Sequence, residues 1–161
     1  MSSKIVVVGG VAGGASAAAK ARRTDEFAEI TIFERGSYVS FANCGLPYYL
    51  GGTIEDRDEL FLVSPERFKS RFNIDVQVNH EVLSIQPREK TIIVKNKETG
   101  EESKVPYDKL ILAPGSSAMR PNIEGVNGER IFTLWTIEDV DKLKTFIEEN
   151  KPQRGLVVGG G

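Results

Sequence analysis

A strand that runs straight into a glycine-rich turn and an alanine-rich helix leaves little choice of fold, and this chain begins with one. Ile5-Val6-Val7-Val8 is a β-branched run that predicts a strand buried on both faces. Gly9-Gly10-Val11-Ala12-Gly13-Gly14 follows without a spacer, and an alanine-rich stretch then runs to about Arg23. Ala17, Ala18, Ala19 and Ala21 favour helix and are small enough to let it lie close to a sheet. A second run, Ile30-Thr31-Ile32-Phe33, ends in Glu34. Strand, glycine turn, helix and strand in this order form a parallel crossover unit, so the expected class is α/β, Rossmann-like, on a parallel sheet.

The same unit implies a chemistry. Backbone N–H groups at the start of the helix, after the glycine turn, would hold an anion such as a pyrophosphate. Glu34 lies twenty residues beyond Gly14, the spacing at which an acid accepts hydrogen bonds from an adenosine ribose. Its charge would repel a 2′-phosphate, so this site is not expected to take NADP. The pattern departs from G-x-G-x-x-G at Val11, where bare backbone normally lets the pyrophosphate approach closely. A strand-to-helix turn without a ligand is therefore the alternative at this point.

Downstream, residues 51–64 read as an acidic, turn-rich surface loop. Ser64 and Pro65 suit the N-cap and first position of a short helix that carries Arg67, Lys69 and Arg71. Residues 73–102 predict a β-rich excursion. Ile74, Val76 and Val78 alternate, Val82, Leu83 and Ile85 and then Ile92, Ile93 and Val94 form two further runs, and Asn96-Lys97-Glu98-Thr99-Gly100 has hairpin-turn composition before a short strand near Val105. His80, the single histidine, is expected on a strand surface. Leu110-Ile111-Leu112-Ala113 is a third buried run ending at Pro114-Gly115, expected to return to the parallel sheet with its C-terminal end at the ligand crevice. Ile131-Phe132-Thr133 predicts a strand, and 137–149 a helix with Val140, Leu143, Phe146 and Ile147 on one face. Gly155-Leu156-Val157-Val158-Gly159-Gly160-Gly161 repeats the opening pattern and is expected to start a second nucleotide-binding unit, as in the N-terminal part of a longer protein.

A net charge of -2, with the signs interspersed, argues against nucleic acid as a partner. No run approaches the roughly 20 continuous apolar residues of a membrane span, so no membrane association is expected. One cysteine excludes an internal disulfide framework and fits a reducing cytoplasm. No metal site is expected. The cysteine sits in Ser40-Phe41-Ala42-Asn43-Cys44-Gly45-Leu46-Pro47-Tyr48-Tyr49 and is either a small buried hydrophobe or a redox thiol. Ser40 or Asn43 is expected to cap a helix starting near Cys44, whose dipole favours the thiolate.

The glycine loop, Glu34-Arg35, the Cys44 stretch, the strand and turn from Leu110 to Gly115 and the terminal glycines together resemble the pyridine nucleotide-disulfide oxidoreductase family, in its coenzyme A disulfide reductase branch. The resemblance covers essentially the whole chain. It implies FAD at the first site and NAD(P)H at the second, in a homodimeric flavoprotein whose FAD domain is interrupted by the NAD(P)H domain. The implied boundaries are 1–120 for the first FAD-binding segment, 121–154 for a connecting strand and helix, and 155–161 for the start of the NAD(P)H domain. Carried over residue by residue, Gly9, Ala12, Gly13, Glu34, Arg35, Val82 and Ala113 border FAD, with Gly10, Gly14 and Gly115 completing the loops.

Better-known members pair two cysteines in C-x4-C, and position 49 here is tyrosine. The resemblance therefore implies that Cys44 forms a mixed disulfide with an external thiol, coenzyme A, or cycles through sulfenic acid as related peroxidases and oxidases do. Implied substrate contacts are Ser16, Lys20 and Arg23, which share one face of the first helix, with Ser40, Asn43 and Arg71; arginine suits forked phosphate contacts. The implied activity is NAD(P)H-linked reduction of coenzyme A disulfide. Reduction of oxygen, peroxide, polysulfide or persulfide are the alternatives, and the 161 residues by themselves are expected to be an inactive flavin-binding fragment.

Overall fold

The computed structural model describes residues 2–159. In chain order the elements are β1 (Lys4–Val8), α1 (Ala12–Thr24), β2 (Glu29–Phe33), α2 (Leu46–Leu50), α3 (Pro65–Phe72), β3 (Ile74–Gln77), β4 (His80–Gln86), β5 (Thr91–Asn96), β6 (Glu102–Pro106), β7 (Lys109–Leu112) and α4 (Ile137–Asn150). By internal contacts the chain divides into two units, Met1–Ala42 with Asp58–Ser116 and Asn43–Arg57 with Ser117–Gly161.

In the first unit β1 forms the middle of a parallel sheet of order β3-β2-β1-β7. The expected crossover unit is therefore present, and its period-two pattern decides the layers. Ile5 and Val7 of β1 and Ile30 and Ile32 of β2 pack with Ala15 and Ala18 of α1 and Phe68 of α3. Val6 and Phe33 point the other way and pack with Ile92 and Val94 of β5. The parallel sheet thus lies between helices on one face and the antiparallel sheet β4-β5-β6 on the other. Each such fully buried aliphatic side chain contributes about 1.5–3 kcal/mol.

Three expectations change here. The run beginning at Ile74 is not part of the β-rich excursion: β3 pairs in parallel with β2, because a four-residue alternating run suits either sheet and the open edge of β2 takes it. The third apolar run is not fully buried, since β7 is an edge strand and Leu112 is 56% exposed. Residues 51–64 are more than a surface loop: a 3-10 turn at Arg57–Leu60 buries Leu60 completely, and Phe41 bridges Phe61 beside it.

Other local signals hold. The Asn96–Gly100 turn joins β5 to β6, with the Asn96 N–H donating to the Glu101 carbonyl at 2.9 Å. Ser64 caps α3 by accepting from the Arg67 N–H, and the Ser64 hydroxyl, followed by Glu66's own backbone N–H, holds the Glu66 carboxyl below its usual range. Arg22, in the last turn of α1, donates to the carbonyls of Glu26, Ala28, Phe72 and Asn73 at 2.6–2.8 Å, so one guanidinium ties the ends of α1 and α3 to the approach of β2.

In the second unit, α4 starts at a capping box in which the Thr136 hydroxyl accepts from the Asp139 N–H and the Asp139 carboxylate accepts from the Thr136 N–H. Ile137 and Val140 are fully buried. Arg57 meets Asp141 in a fork, with Nε 2.9 Å from Oδ1 and Nη2 2.7 Å from Oδ2. The expected strand at Ile131-Phe132-Thr133 is absent; Phe132 instead packs against Phe146 of α4, ring centroids 4.9 Å apart and the planes tilted by 50°. The expected strand at Leu156-Val157-Val158 is also absent, the three side chains being 85–89% exposed, and Gly160 and Gly161 lie outside the described residues. Among the described residues no helix is long and apolar enough to cross a membrane.

Candidate functional site

The strand order reverses at β1, with β2 on one side and β7 on the other, and an open α/β sheet binds its ligands at the carboxyl ends of the strands flanking such a point. Those ends are close-packed here. The Ala113 N–H donates to the Val8 carbonyl at 2.8 Å, and the Gly9 N–H to the Phe33 carbonyl at 2.8 Å. Gly9 has φ of +90°, and a Cβ there would stand 2.0 Å from the Ala113 carbonyl oxygen. At Gly14 a Cβ would stand 1.7 Å from the Gly9 carbonyl oxygen, so helix α1 meets β1 only because this residue lacks one. Val11, at the position that departs from the glycine pattern, has φ of −84° and ψ of −122°, outside the regular helix and strand regions but without the positive φ that would favour glycine.

Val11 provides no side-chain cap for α1, and the first turn carries no acid. Its leading N–H groups, on the exposed residues Ala12 and Gly13, therefore remain available to an anion. Glu34 closes the loop from the other side. Its carboxylate is buried and accepts from the Gly10 N–H at 2.7 Å through Oε2 and from the Gly36 N–H at 2.8 Å through Oε1. The side chain expected on a ribose thus already anchors the glycine loop to the turn after β2. A carboxylate has about four acceptor positions, so two stay open for hydroxyl groups.

Gly9, Glu34, Arg35 and Val82 line one cleft with Val8, Phe33, His80, Glu81 and Pro114. Gly10, Gly14 and Ala113 form the backbone around it, and Gly115, with φ of +68°, turns the chain away after β7. The geometry suits a dinucleotide such as FAD: a cradle that any Cβ would fill, free N–H donors and a buried acid. Sequence reading missed His80, Glu81 and Pro114. A signal existed for His80, because it precedes Val82 by two residues on β4, and alternate residues of a strand share a face.

Ser16, Lys20 and Arg23 are all exposed on α1, opposite the buried Ala15 and Ala18. Arg71 is exposed near the end of α3, its guanidinium 5.4 Å from the centroid of the Phe72 ring. Ser40 is buried with φ of +50°, its N–H on the Gly10 carbonyl and its own carbonyl accepting from the Leu62 N–H. In the second unit, Asn43, half-buried, and Cys44 lie in a 3-10 turn at Asn43–Gly45, and the thiol is exposed. Helix α2 begins only after it. Gly45 is the N-cap and no side chain caps, so neither Ser40 nor Asn43 plays the expected capping role; Pro47 in the first turn defines the start instead. Tyr49 is buried, with the Lys144 ammonium 3.7 Å from its ring centroid.

The sequence profile of the pyridine nucleotide-disulphide oxidoreductases matches residues 3–161. The chain belongs to that family. Among its relatives within the family, coenzyme A disulfide reductase of Staphylococcus haemolyticus (strain JCSC1435) is 44% identical over 158 residues, which cover 98% of this chain and 35% of that protein. Reduced CoADR-RHD of Bacillus anthracis superposes with a TM-score of 0.92 at 51% identity, covering 95% of this chain and 28% of the other. A NAD-dependent persulfide reductase from A. fulgidus superposes with a TM-score of 0.86 at 38% identity, covering 91% and 27%. The chain thus spans about a third of the length of the curated relatives it matches.

Proposed function

We propose that this chain is the FAD-binding portion of an NAD(P)H-linked flavoprotein that reduces coenzyme A disulfide through Cys44 alone. The observation that carries the reading is the exposed thiol on the Asn43–Gly45 turn, without a second cysteine to pair with it, in a chain 44% identical to a coenzyme A disulfide reductase. Gly9, Gly10, Ala12, Gly13, Gly14, Glu34, Arg35, Val82, Ala113 and Gly115 would hold FAD. When bound, FAD would carry two electrons from NAD(P)H toward the thiol.

The steps assigned to this chain's residues are those of thiol–disulfide exchange. Cys44 thiolate attacks one sulfur of the substrate disulfide, the old S–S bond breaks, and one coenzyme A leaves as thiolate. Two electrons then cleave the Cys44 mixed disulfide, releasing the second coenzyme A and restoring the thiolate. Ser16, Lys20, Arg23 and Arg71 would hold the anionic substrate, with Ser40 and Asn43 supplying neutral contacts. Tyr49, buried, leaves no resolving thiol at the C-x4-C position, and in this reading the substrate brings the second sulfur.

Residues 1–120 would form the first FAD-binding segment, 121–154 the connection and 155–161 the approach to the NAD(P)H domain of a homodimeric cytoplasmic protein. In that complete protein, Cys44→Ser is expected to lower coenzyme A disulfide reduction at least a thousandfold while bound flavin persists. Intact mass before and after reduction tests the substrate: loss of one coenzyme A supports the proposal, and retained activity in the serine variant defeats it. Likeness to the A. fulgidus enzyme supports persulfide reduction as a second reading, for which the lost mass would be that of added sulfur atoms instead.

A further inference from the structure

His80 is the one histidine of the chain, and the chemistry described so far does not use it. It is the first residue of β4, presented by a reversal from β3 in which Asn79 takes φ of +57° and donates its N–H to the Gly36 carbonyl. Three contacts fix the residue. Its backbone N–H donates to the Glu34 carbonyl at 2.9 Å, its ring leans on Phe33 with centroids 6.3 Å apart, and Nδ1 stands 2.7 Å from the Val78 carbonyl.

A carbonyl only accepts, so Nδ1 carries the proton. In the neutral imidazole Nε2 is then a bare acceptor. Among the described residues nothing bonds to it, and His80 borders the cleft that Glu34, Arg35 and Val82 also line. We infer that His80 is a recognition residue for the adenosine half of the bound dinucleotide, its Nε2 accepting a hydrogen bond from a donor on that half. This inference rests on the proposed dinucleotide site. Two donor groups have the required chemistry, a ribose hydroxyl and the exocyclic amino group of adenine. Val78 and Phe33 hold the ring before any ligand arrives, so the contact costs no rotamer ordering on binding.

The test uses the complete protein stripped of flavin, with ADP as the probe of the adenosine half and FMN as a probe that lacks it. His80→Phe keeps a ring against Phe33 and removes the acceptor; it should weaken ADP and FAD about five- to tenfold, the loss expected for one hydrogen bond, and leave FMN unchanged. His80→Gln, which restores an acceptor, should recover most of that loss. If wild-type protein prefers ADP over IDP and His80→Phe does not, the donor is the adenine amino group; if the same holds for ADP over 2′-deoxy-ADP, it is the ribose hydroxyl. Unchanged ADP affinity in His80→Phe, or an equal loss for FMN, overturns the inference and leaves the dinucleotide reading standing. Failure of the wild-type protein to bind either FAD or ADP overturns both.

Discussion

Two stretches of this chain carry nearly the same letters and have opposite fates. Ile5-Val6-Val7-Val8-Gly9 becomes the middle strand of a sheet, with Val7 0% exposed and Gly9 locked under the Ala113 carbonyl. Leu156-Val157-Val158-Gly159 joins no helix or strand, with Val157 85% exposed and nothing within 4 Å of the place a Cβ would take on Gly159. The difference lies outside the runs themselves. The opening run has β2 and β7 on its two edges, α1 on one face and β5 on the other, and its loop is tied down by the Glu34 carboxylate. An apolar run followed by glycines supplies compatibility with a phosphate loop; the neighbours make the loop.

Matched substitutions can break or sharpen that contrast. Val7→Asp should have the largest effect, because it strands a charge in the core with no partner, and a loss above about 4 kcal/mol leaves the 161-residue chain unfolded by circular dichroism. Gly14→Ala comes next. Alanine is the better helix former, yet its Cβ would overlap the Gly9 carbonyl, so about 2–4 kcal/mol of stability is expected to be lost in urea titration, together with flavin retention in the complete protein.

Glu34→Gln is expected to cost about 1–3 kcal/mol even without any ligand, because the amide NH2 must face the N–H of Gly10 or Gly36. A melting temperature unchanged from wild type in the ligand-free protein would mean that the acid serves the ligand alone. Val157→Asp, the same chemical change as the first, should stay within about 0.5 kcal/mol in the 161-residue chain. A loss close to that of Val7→Asp would show that both runs are equally engaged, and the contrast would fail.

The opening unit was legible because each part of it is a local rule. β-branched residues select a strand, small alanines admit a close helix, and the acid falls at a fixed distance along the chain. The Asn96–Gly100 hairpin and the Ser64 cap were legible for the same reason. Less could be read where a segment's partner was the deciding fact. Ile74–Gln77 reads as one more strand of the β-rich excursion and joins the parallel sheet, and Phe132 reads as a strand residue and packs on a helix. The candidate site divides in the same way. The loop and Glu34 follow from spacing, while His80 enters the cleft only because a turn at Asn79 brings β4 beside the end of β2.

Sequence alone established the crossover unit, the acid that ends its second strand and a single cysteine without a partner at the C-x4-C position, since all three depend on residue type and separation along the chain. Tertiary structure decided that Glu34 grips its own glycine loop, that β7 stands at an edge and that the Cys44 thiol is open on a turn. Those outcomes depend on which remote segments come to lie beside a residue, and burial or exposure is a property of the neighbours that covering chain supplies, which no local pattern encodes.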